Sequence, residues 1–211
     1  EVKMLSNMVH ELCGGIPSVV DVGSGKGYIA QALSHHFGYQ VIGLEGSENQ
    51  HEKAAQRFEK TEQRRLPKKD RTTTAASASS SDTSEPALLH STVNCRLEYS
   101  MECTDLDTLV AARLRDKSSN ICLMSLHACG DLTPCILELF TKWDRAKVLI
   151  NVACCYHKIE ASSMERKKGF PMSALVRSSD ALDPPHFLWL ELATQSPLQW
   201  QAMTPDQVEL R

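Results

Sequence analysis

The segment that constrains this chain most is a short apolar run that ends in three closely spaced glycines. Residues 18–22 form the run, and the sequence across its end is Asp21-Val22-Gly23-Ser24-Gly25-Lys26-Gly27. Apolar residues then recur at helical spacing until Gly38, a residue type that often follows the end of a helix. A strand that turns through glycines into a helix predicts an α/β fold. Glycine permits the tight turn and leaves room for a ligand beside the main chain.

The alternation of apolar runs and helical patterns continues along the chain. Further strands are predicted at 40–45, near 92–99, at 121–126, at 148–153 and at 187–192. The predicted helix starts are a capping box of Ser47 and Gln50, an N-cap at Thr104, the pair Thr133-Pro134, and a short helix near 172–177. Six strands, five of them in βα alternation, predict a mostly parallel twisted sheet with helices on both faces.

One segment interrupts this pattern without ending it. Residues 64–71 are basic and contain a proline, and the 13 residues of 72–84 include nine Ser or Thr. Such a segment buries too little apolar surface to offset its ordering entropy. We therefore expect a flexible insertion at about 65–88 within a single domain spanning 1–211. The basic residues fit either a solvated linker or a patch for RNA contact or nuclear import.

Composition excludes several classes of protein. The formal charge of −3 and the pI near 6.3 argue against wholesale electrostatic binding to nucleic acid or acidic membranes. No apolar run approaches the ~18–20 residues that cross a bilayer. The chain starts at Glu1 without the layout of a signal peptide, so we expect a piece of a longer protein and no membrane partner. Several of the eight cysteines lie in apolar runs, which predicts reduced thiols in the cytoplasm or nucleus.

Three kinds of cofactor loop can be compared with the glycine segment. The spacing of a Walker A loop is absent, and the third glycine of a dinucleotide loop would fall on Tyr28. The pattern acidic-x-G-x-G-x-G does fit, and it resembles the loop of S-adenosylmethionine (SAM) methyltransferases. The resemblance implies a Rossmann-like SAM-dependent methyltransferase fold, with SAM as the cofactor. It also implies cofactor contacts at Asp21, Gly23, Gly25, Gly27, Glu45 and Asp105.

Each acidic residue of that set has an expected role. A cationic sulfonium ligand would suit Asp21, since it brings no pyrophosphate for the carboxylate to repel. Glu45, 18 residues after Gly27, would accept hydrogen bonds from a ribose diol. Asp105 follows the third predicted strand, where such enzymes usually hold the adenine amino group. The alternative is a plain glycine turn with Glu45 and Asp105 as surface caps, and Asp107 could replace Asp105 as the cap.

Two blocks rich in cysteine and histidine follow the fourth and fifth predicted strands. They are His127-Ala-Cys129-Gly-Asp131-Leu and Asn151-Val-Ala-Cys154-Cys155-Tyr156-His157-Lys158. Together with DVGSGKG, LEG and GFPMS, they resemble the methyltransferase-like protein 25 family and its ribosomal-RNA-adenine-dimethylase-like relatives. A looser likeness extends to tRNA 2′-O-methyltransferases with a Cys-Cys-His-type motif. Because parallel strands end at one sheet edge, we expect both blocks beside the methyl donor.

The chemistry of these blocks is open to three interpretations. His127 is a candidate general base or acceptor-orienting group, since imidazole titrates near neutrality. Tyr156 is a candidate for stacking on a planar acceptor. The third interpretation is a zinc site, for which the blocks offer thiolate and imidazole ligands at His127, Cys129, Cys154, Cys155 and His157. Adjacent Cys154 and Cys155 would point to opposite faces of a strand, however, and no C-x₂-C spacing occurs, so we predict no metal.

The sequence thus predicts an enzyme that transfers the SAM methyl group to an oxygen, nitrogen or sulfur atom of an acceptor. RNA is the acceptor we place first and protein is the second. The alternative is a non-catalytic protein of methyltransferase fold that serves as a scaffold. An NAD-dependent oxidoreductase fits less well, because Tyr28 stands where its loop needs glycine.

Overall fold

The computed structural model describes residues 1–65, 89–160 and 169–178. The helices are α1 (Val2–Leu12), α2 (Tyr28–Phe37), α3 (Glu48–Arg65), α4 (Cys103–Ala111), α5 (Leu132–Lys142) and α6 (Ala174–Arg177), with a 3-10 turn at Tyr156–Lys158. The strands are β1 (Ser18–Val22), β2 (Gln40–Glu45), β3 (His90–Asn94), β4 (Ile121–Ala128) and β5 (Ala146–Ala153). None of the described helices is both long enough and apolar enough to cross a membrane.

The five described strands form one sheet in the order β3-β2-β1-β4-β5. The pairs β1–β2, β1–β4 and β2–β3 are parallel. In this register Asp21 lies opposite Gly43 of β2 on one side and Met124 of β4 on the other. The predicted α/β fold with a mostly parallel sheet is confirmed.

The sheet is buried on both faces, as the apolar character of β1 predicts. Val19 aligns with Val41 and Cys122, and all three belong to a core that includes residues of α1 and α2. Their chain neighbours Val20, Ile42 and Leu123 are also in register, have no exposed surface, and point to the other face because side chains alternate along a strand. Two buried faces explain why these strands lack a polar-apolar alternation.

The described residues belong to two compact units. The first unit comprises Glu1–Leu126 and Leu139–Asn151, and the second unit comprises His127–Glu138 and Val152–Arg211. The first contains β1, β2 and β3 with the glycine loop, and the second contains both cysteine-histidine blocks apart from Asn151. The single domain expected over 1–211 stays a prediction.

The strand-helix order agrees with the prediction, but several element boundaries differ. Helix α1 was not predicted, and β3 begins at His90 and ends at Asn94 instead of covering 92–99. Helix α4 begins at Cys103 after Glu102 instead of after Thr104, and α5 already begins at Leu132. The strand expected at 187–192 and the insertion beyond residue 65 lie outside the described residues.

The predicted capping box at the start of α3 is wrong in its side chains. Ser47 does precede the helix, and its carbonyl accepts a hydrogen bond from the His51 amide. The Ser47 amide, however, donates to Glu45 Oε1 at 2.8 Å, and Gln50 Oε1 has no partner among the described residues. A carboxylate two residues upstream has taken the donor that the box would use.

Candidate cofactor site and cysteine cluster

The glycine loop is a tight turn held against the end of β2. The Gly23 and Ser24 amides both donate to the Leu44 carbonyl, at 2.8 and 3.1 Å, and the Gly27 amide donates to the Ser24 carbonyl at 2.9 Å. Gly23, Gly25 and Gly27 have φ values of 70°, 55° and 70°. These lie in the left-handed region, where a side chain would strain the backbone, so the three glycines are a conformational requirement of the turn.

Glu45 connects this loop to the start of α3. Its Oε2 accepts from the Gly25 amide at 2.7 Å, while Oε1 accepts from the Ser47 amide at 2.8 Å. The sequence predicts a ribose contact for Glu45 and gives no sign of this structural role. Each carboxylate oxygen can accept a second hydrogen bond, so the ribose contact stays a prediction that these two bonds do not obstruct.

Asp21 is a buried carboxylate at the end of the central strand. Its side chain is 1% exposed, and its Oδ2 has no hydrogen-bond partner among the described residues. Burial, together with the nearby negative charge of Glu45, raises the pKa of Asp21 to about 7. An unpaired buried acid of this kind favours either protonation or a cationic ligand.

Gly43 in β2 is a residue of the site that sequence reasoning missed. A Cβ there would lie 2.7 Å from Ser24 Oγ and 2.9 Å from Ser24 Cβ, closer than atoms can pack. Ser24 therefore sits directly over the strand, and this contact sets the position of the loop above β2. A glycine in the middle of a strand was the available signal, since it often marks a close approach of another segment.

His90 is a second residue that the sequence analysis missed. It is 1% exposed at the start of β3, and neither ring nitrogen has a hydrogen-bond partner among the described residues. Its ring meets Phe58 edge to face at 4.8 Å, and a Cβ on Gly27 would lie 3.4 Å from its Cε1. Burial, together with electrostatic repulsion from His35, lowers the pKa of His90 to about 4. A neutral imidazole therefore packs against the loop at Gly27.

The two aspartates near α4 have different surroundings. Asp105 is exposed in the first turn of the helix, well after the end of β3, and its adenine contact stays a prediction. Asp107 accepts from Arg145 Nε at 2.7 Å and Nη2 at 3.0 Å, and from Trp143 Nε1 at 2.8 Å. Neither is the helix cap that the sequence suggested, because Glu102 occupies the cap position.

In the second unit, the sulfur atoms of three cysteines meet. Cys129 Sγ lies 2.8 Å from Cys154 Sγ, and Cys154 Sγ lies 3.5 Å from Cys155 Sγ. Burial and the two neighbouring sulfurs raise the pKa of Cys129 to about 12, whereas hydrogen bonds from Cys129 and Cys154 lower the pKa of Cys155. The expectation that Cys154 and Cys155 point to opposite faces of a strand is wrong, because β5 ends at Ala153.

The loops that carry these cysteines are held by main-chain and side-chain contacts within the unit. The Glu160 amide donates to Asp131 Oδ1 at 2.9 Å, and the Lys158 amide donates to the Cys155 carbonyl at 3.1 Å. Gly130 has φ 56°, and a Cβ there would lie 2.8 Å from the Lys158 carbonyl oxygen. In the sequence Cys129-Gly130-Asp131, the cysteine thus supplies a sulfur to the cluster, the glycine permits the turn, and the aspartate bonds to the second loop.

Comparison with known proteins identifies the family of the chain. A family model described as a methyltransferase domain matches residues 1–162, which include the glycine loop and both cysteine-histidine blocks. The chain belongs to this methyltransferase-domain family. The Rossmann-like methyltransferase fold expected from the sequence is therefore confirmed.

Two curated relatives match a shorter stretch. They are the probable methyltransferase-like protein 25 of Mus musculus, 40% identical over 60 residues, and that of Homo sapiens, 46% identical over 59 residues. Each alignment covers 24% of this chain and 10% of the relative. The predicted resemblance to methyltransferase-like protein 25 is confirmed over that stretch. No solved structure matches the chain.

The two candidate catalytic residues of this family member both lie in the second unit. His127 is exposed near the end of β4 and has a φ of 64°, the one non-glycine residue in the left-handed region among those described. Such strain in a polar residue often accompanies a functional role. Tyr156 begins the 3-10 turn. Catalysis by either residue stays a prediction.

Proposed function

We propose that this chain binds S-adenosylmethionine at the glycine loop and transfers its methyl group to an acceptor. The observation that carries the proposal is the buried carboxylate of Asp21, whose Oδ2 has no partner among the described residues. Membership of a methyltransferase-domain family supports the same conclusion. When bound, SAM supplies an electrophilic methyl group on a sulfonium, along with an ammonium group and a ribose.

The charge of the site favours this cofactor over a dinucleotide. Asp21 and Glu45 interact unfavourably with each other, which contributes to the raised pKa of Asp21. A cationic ligand relieves that repulsion, whereas a pyrophosphate would add to it. The residues present therefore fit SAM, with Asp21 supplying the negative charge and Glu45 the acceptors for the ribose.

The loop also leaves room for a ligand at its tip. A Cβ on Gly25 would meet nothing nearer than the Gly23 carbonyl at 3.9 Å, so space is open there. The Glu45 carboxylate fixes the Gly25 amide at the edge of that space. By contrast, a depression lined by Pro17, Ser18 and Gln40 lies where β1 and β2 begin, at the opposite strand ends from the loop.

The role of the chain in the reaction is mainly to position the reactants. Holding donor and acceptor in line can lower a barrier by ~7–11 kcal/mol without any proton transfer. RNA is the acceptor we propose first, on the resemblance alone, and protein is the second. Incubation of radiolabelled SAM with cell extract, followed by nuclease or protease treatment, identifies which polymer carries the label. Label in neither polymer would contradict methyl transfer to these acceptors.

The cofactor can be tested by calorimetric titration of the full chain with SAM, with NADH in parallel. We expect saturable binding of SAM, no heat with NADH, and loss of SAM binding in Gly25→Arg, because the side chain fills the space at the loop tip. Gly38→Arg is the matched control, since Gly38 also has a left-handed φ, 75°, with nothing within 4 Å of its Cβ position. Equal losses in both variants would show a general effect of backbone strain.

Glu45→Ala is expected to weaken SAM binding by about 10- to 100-fold, measured by the same titration. The change removes the acceptor for the Gly25 amide and the proposed ribose contacts, and a hydrogen bond to a charged group is worth ~1.5–3 kcal/mol. Glu48→Ala is the control, because Glu48 is an exposed carboxylate in the first turn of α3. Unchanged affinity in Glu45→Ala would remove this residue from the site.

A further inference from the structure

The cysteine cluster of the second unit is not among the residues proposed to contact the cofactor. Cys129, Cys154 and Cys155 are half-buried, and their three sulfur atoms all lie within 4.8 Å of one another. We propose that these three thiolates bind a zinc ion. The proposal goes beyond methyl transfer and does not depend on it.

The spacing of the sulfurs suits a tetrahedral metal. Zinc-thiolate bonds of ~2.3 Å at tetrahedral angles place two sulfurs ~3.8 Å apart. The separations of 2.8 Å for Cys129–Cys154 and 3.5 Å for Cys154–Cys155 are somewhat shorter than that value, and all three sulfurs lie within 4.8 Å of one another. Small side-chain rotations are therefore enough to bring all three sulfurs to one ion.

The backbone explains how adjacent cysteines can serve one ion. Residues Cys154 and Cys155 follow the last residue of β5, so the alternation of a strand no longer separates their side chains. Cys129 comes directly after β4 ends at Ala128. The ligands thus come from the chain just beyond two strand ends, and the sequence spacing gives no C-x₂-C signature.

Contacts around the cluster hold its two loops in place, as a metal site requires. The Asp131 carboxylate, two residues after Cys129, accepts a hydrogen bond from the Glu160 amide, and Gly130 packs against the Lys158 carbonyl. These contacts hold the loop of Cys129 against the loop of Cys155 without using any sulfur. The ligands are thus brought together by the fold before a metal arrives.

The binding step is a simple exchange of protons for a metal. Three thiols lose three protons to solvent as Zn²⁺ binds, and the site then carries one net negative charge. Thiolates favour zinc over hard cations such as magnesium or calcium. Within the described residues the group has three ligands, which leaves the fourth tetrahedral position to water or another molecule.

A disulfide between Cys129 and Cys154 is the competing outcome. It would release two electrons and two protons to an oxidant, and it would use only two of the three sulfurs. Their separation of 2.8 Å exceeds the S–S bond of ~2.05 Å. Thiol titration with and without reductant distinguishes the two, because a disulfide hides two thiols that reductant restores.

The experiment measures metal in the full chain purified without chelator. We expect about one zinc per chain in the wild type and in Cys103→Ser, whose cysteine lies outside the cluster. Cys129→Ser and Cys154→Ser are expected to retain under about 0.2 zinc per chain. Zinc that persists in both cluster variants would overturn the proposal, and so would a zinc-free wild type.

Cobalt substitution keeps the test decisive if the cluster variants fail to fold. Chelator-treated wild-type protein should bind about one Co²⁺ and develop sulfur-to-cobalt charge-transfer absorption with the intense d–d bands of tetrahedral cobalt. Circular dichroism checks that the treated protein is folded. Weak octahedral cobalt bands, or a disulfide in the thiol titration, would overturn the proposal.

Discussion

Asp21→Asn is expected to make the ligand-free protein more stable and to abolish SAM binding. Above pH 7 the wild type carries a buried charge with no partner for Oδ2 among the described residues, and the amide removes that charge. After allowing ~1–3 kcal/mol for an unpaired amide, we expect the free energy of unfolding at pH 8 to rise by about 1–3 kcal/mol. Affinity for SAM should fall at least about 100-fold, because the change removes the negative charge on which the proposed binding of a cation depends. Urea unfolding and calorimetric titration measure the two effects.

The pH dependence of the free energy of unfolding is a second test of the role predicted for Asp21. Asp21 titrates near 3.8 when unfolded and near 7 when folded, so between these values the folded state holds the extra proton and stability falls as pH rises. His90 has the opposite effect, because its pKa drops from 6.5 to about 4 on folding and stability rises with pH across that window. The two slopes oppose each other in the wild type. Asp21→Asn should therefore expose a profile in which unfolding free energy increases from pH 4 to pH 6.5.

Asp107→Asn is the matched control for a change from carboxylate to amide. The guanidinium of Arg145 holds the pKa of Asp107 below its usual value, and the Trp143 ring nitrogen donates to the same carboxylate. Losing this pair should lower the free energy of unfolding by about 1–2 kcal/mol and leave SAM affinity unchanged. If both aspartate variants lose stability, the assignment of an unpaired charge to Asp21 is wrong.

Gly43→Ala, a change in β2, is expected to displace the glycine loop that packs on this strand. The new methyl group would lie 2.7 Å from Ser24 Oγ, so Ser24 must move and the turn between Gly23 and Gly25 must move with it. Overpacking of this kind costs about 1–3 kcal/mol of stability. A loop displaced from its Glu45 contact should also lose about tenfold or more in SAM affinity, measured by titration.

A second substitution tests whether the contact with Ser24 causes the loss of affinity in Gly43→Ala. Ser24→Gly removes both atoms that the new methyl group meets, and the nearest remaining neighbour is Thr92 Cγ2 at 3.6 Å. The double variant Gly43→Ala with Ser24→Gly should therefore regain most of the lost affinity relative to Gly43→Ala. Losses that simply add in the double variant would mean that Gly43 acts through something other than Ser24.

The fold and the loop were predictable because both depend on local pattern. Apolar runs and helical spacing identified β1, β2, β4 and β5, and three alternating glycines after Asp21 marked the turn. Side-chain partners were less predictable than the order of the elements. The Glu45 carboxylate, two residues before Ser47, accepts from the amide that the capping box assigned to Gln50.

The cysteine cluster shows another limit of local pattern. The sequence predicts a strand that ends at residue 153, and the structure ends β5 at Ala153 as well. The expected divergence of Cys154 and Cys155 is wrong because the alternation of a strand does not apply beyond its end. That the sulfurs of Cys129, Cys154 and Cys155 meet depends on the packing of two loops that are distant in the chain.

The sequence by itself determined the α/β alternation, the glycine turn and the acidic residue before it, because each follows from the conformational preferences of neighbouring residues. The tertiary structure alone decided that Asp21 is buried without a partner for Oδ2 among the described residues, that Ser24 covers Gly43, and that Cys129 meets Cys154. These features arise from the packing of segments that are distant in the chain. Burial and close approach are properties of that packing, and no local spacing encodes them.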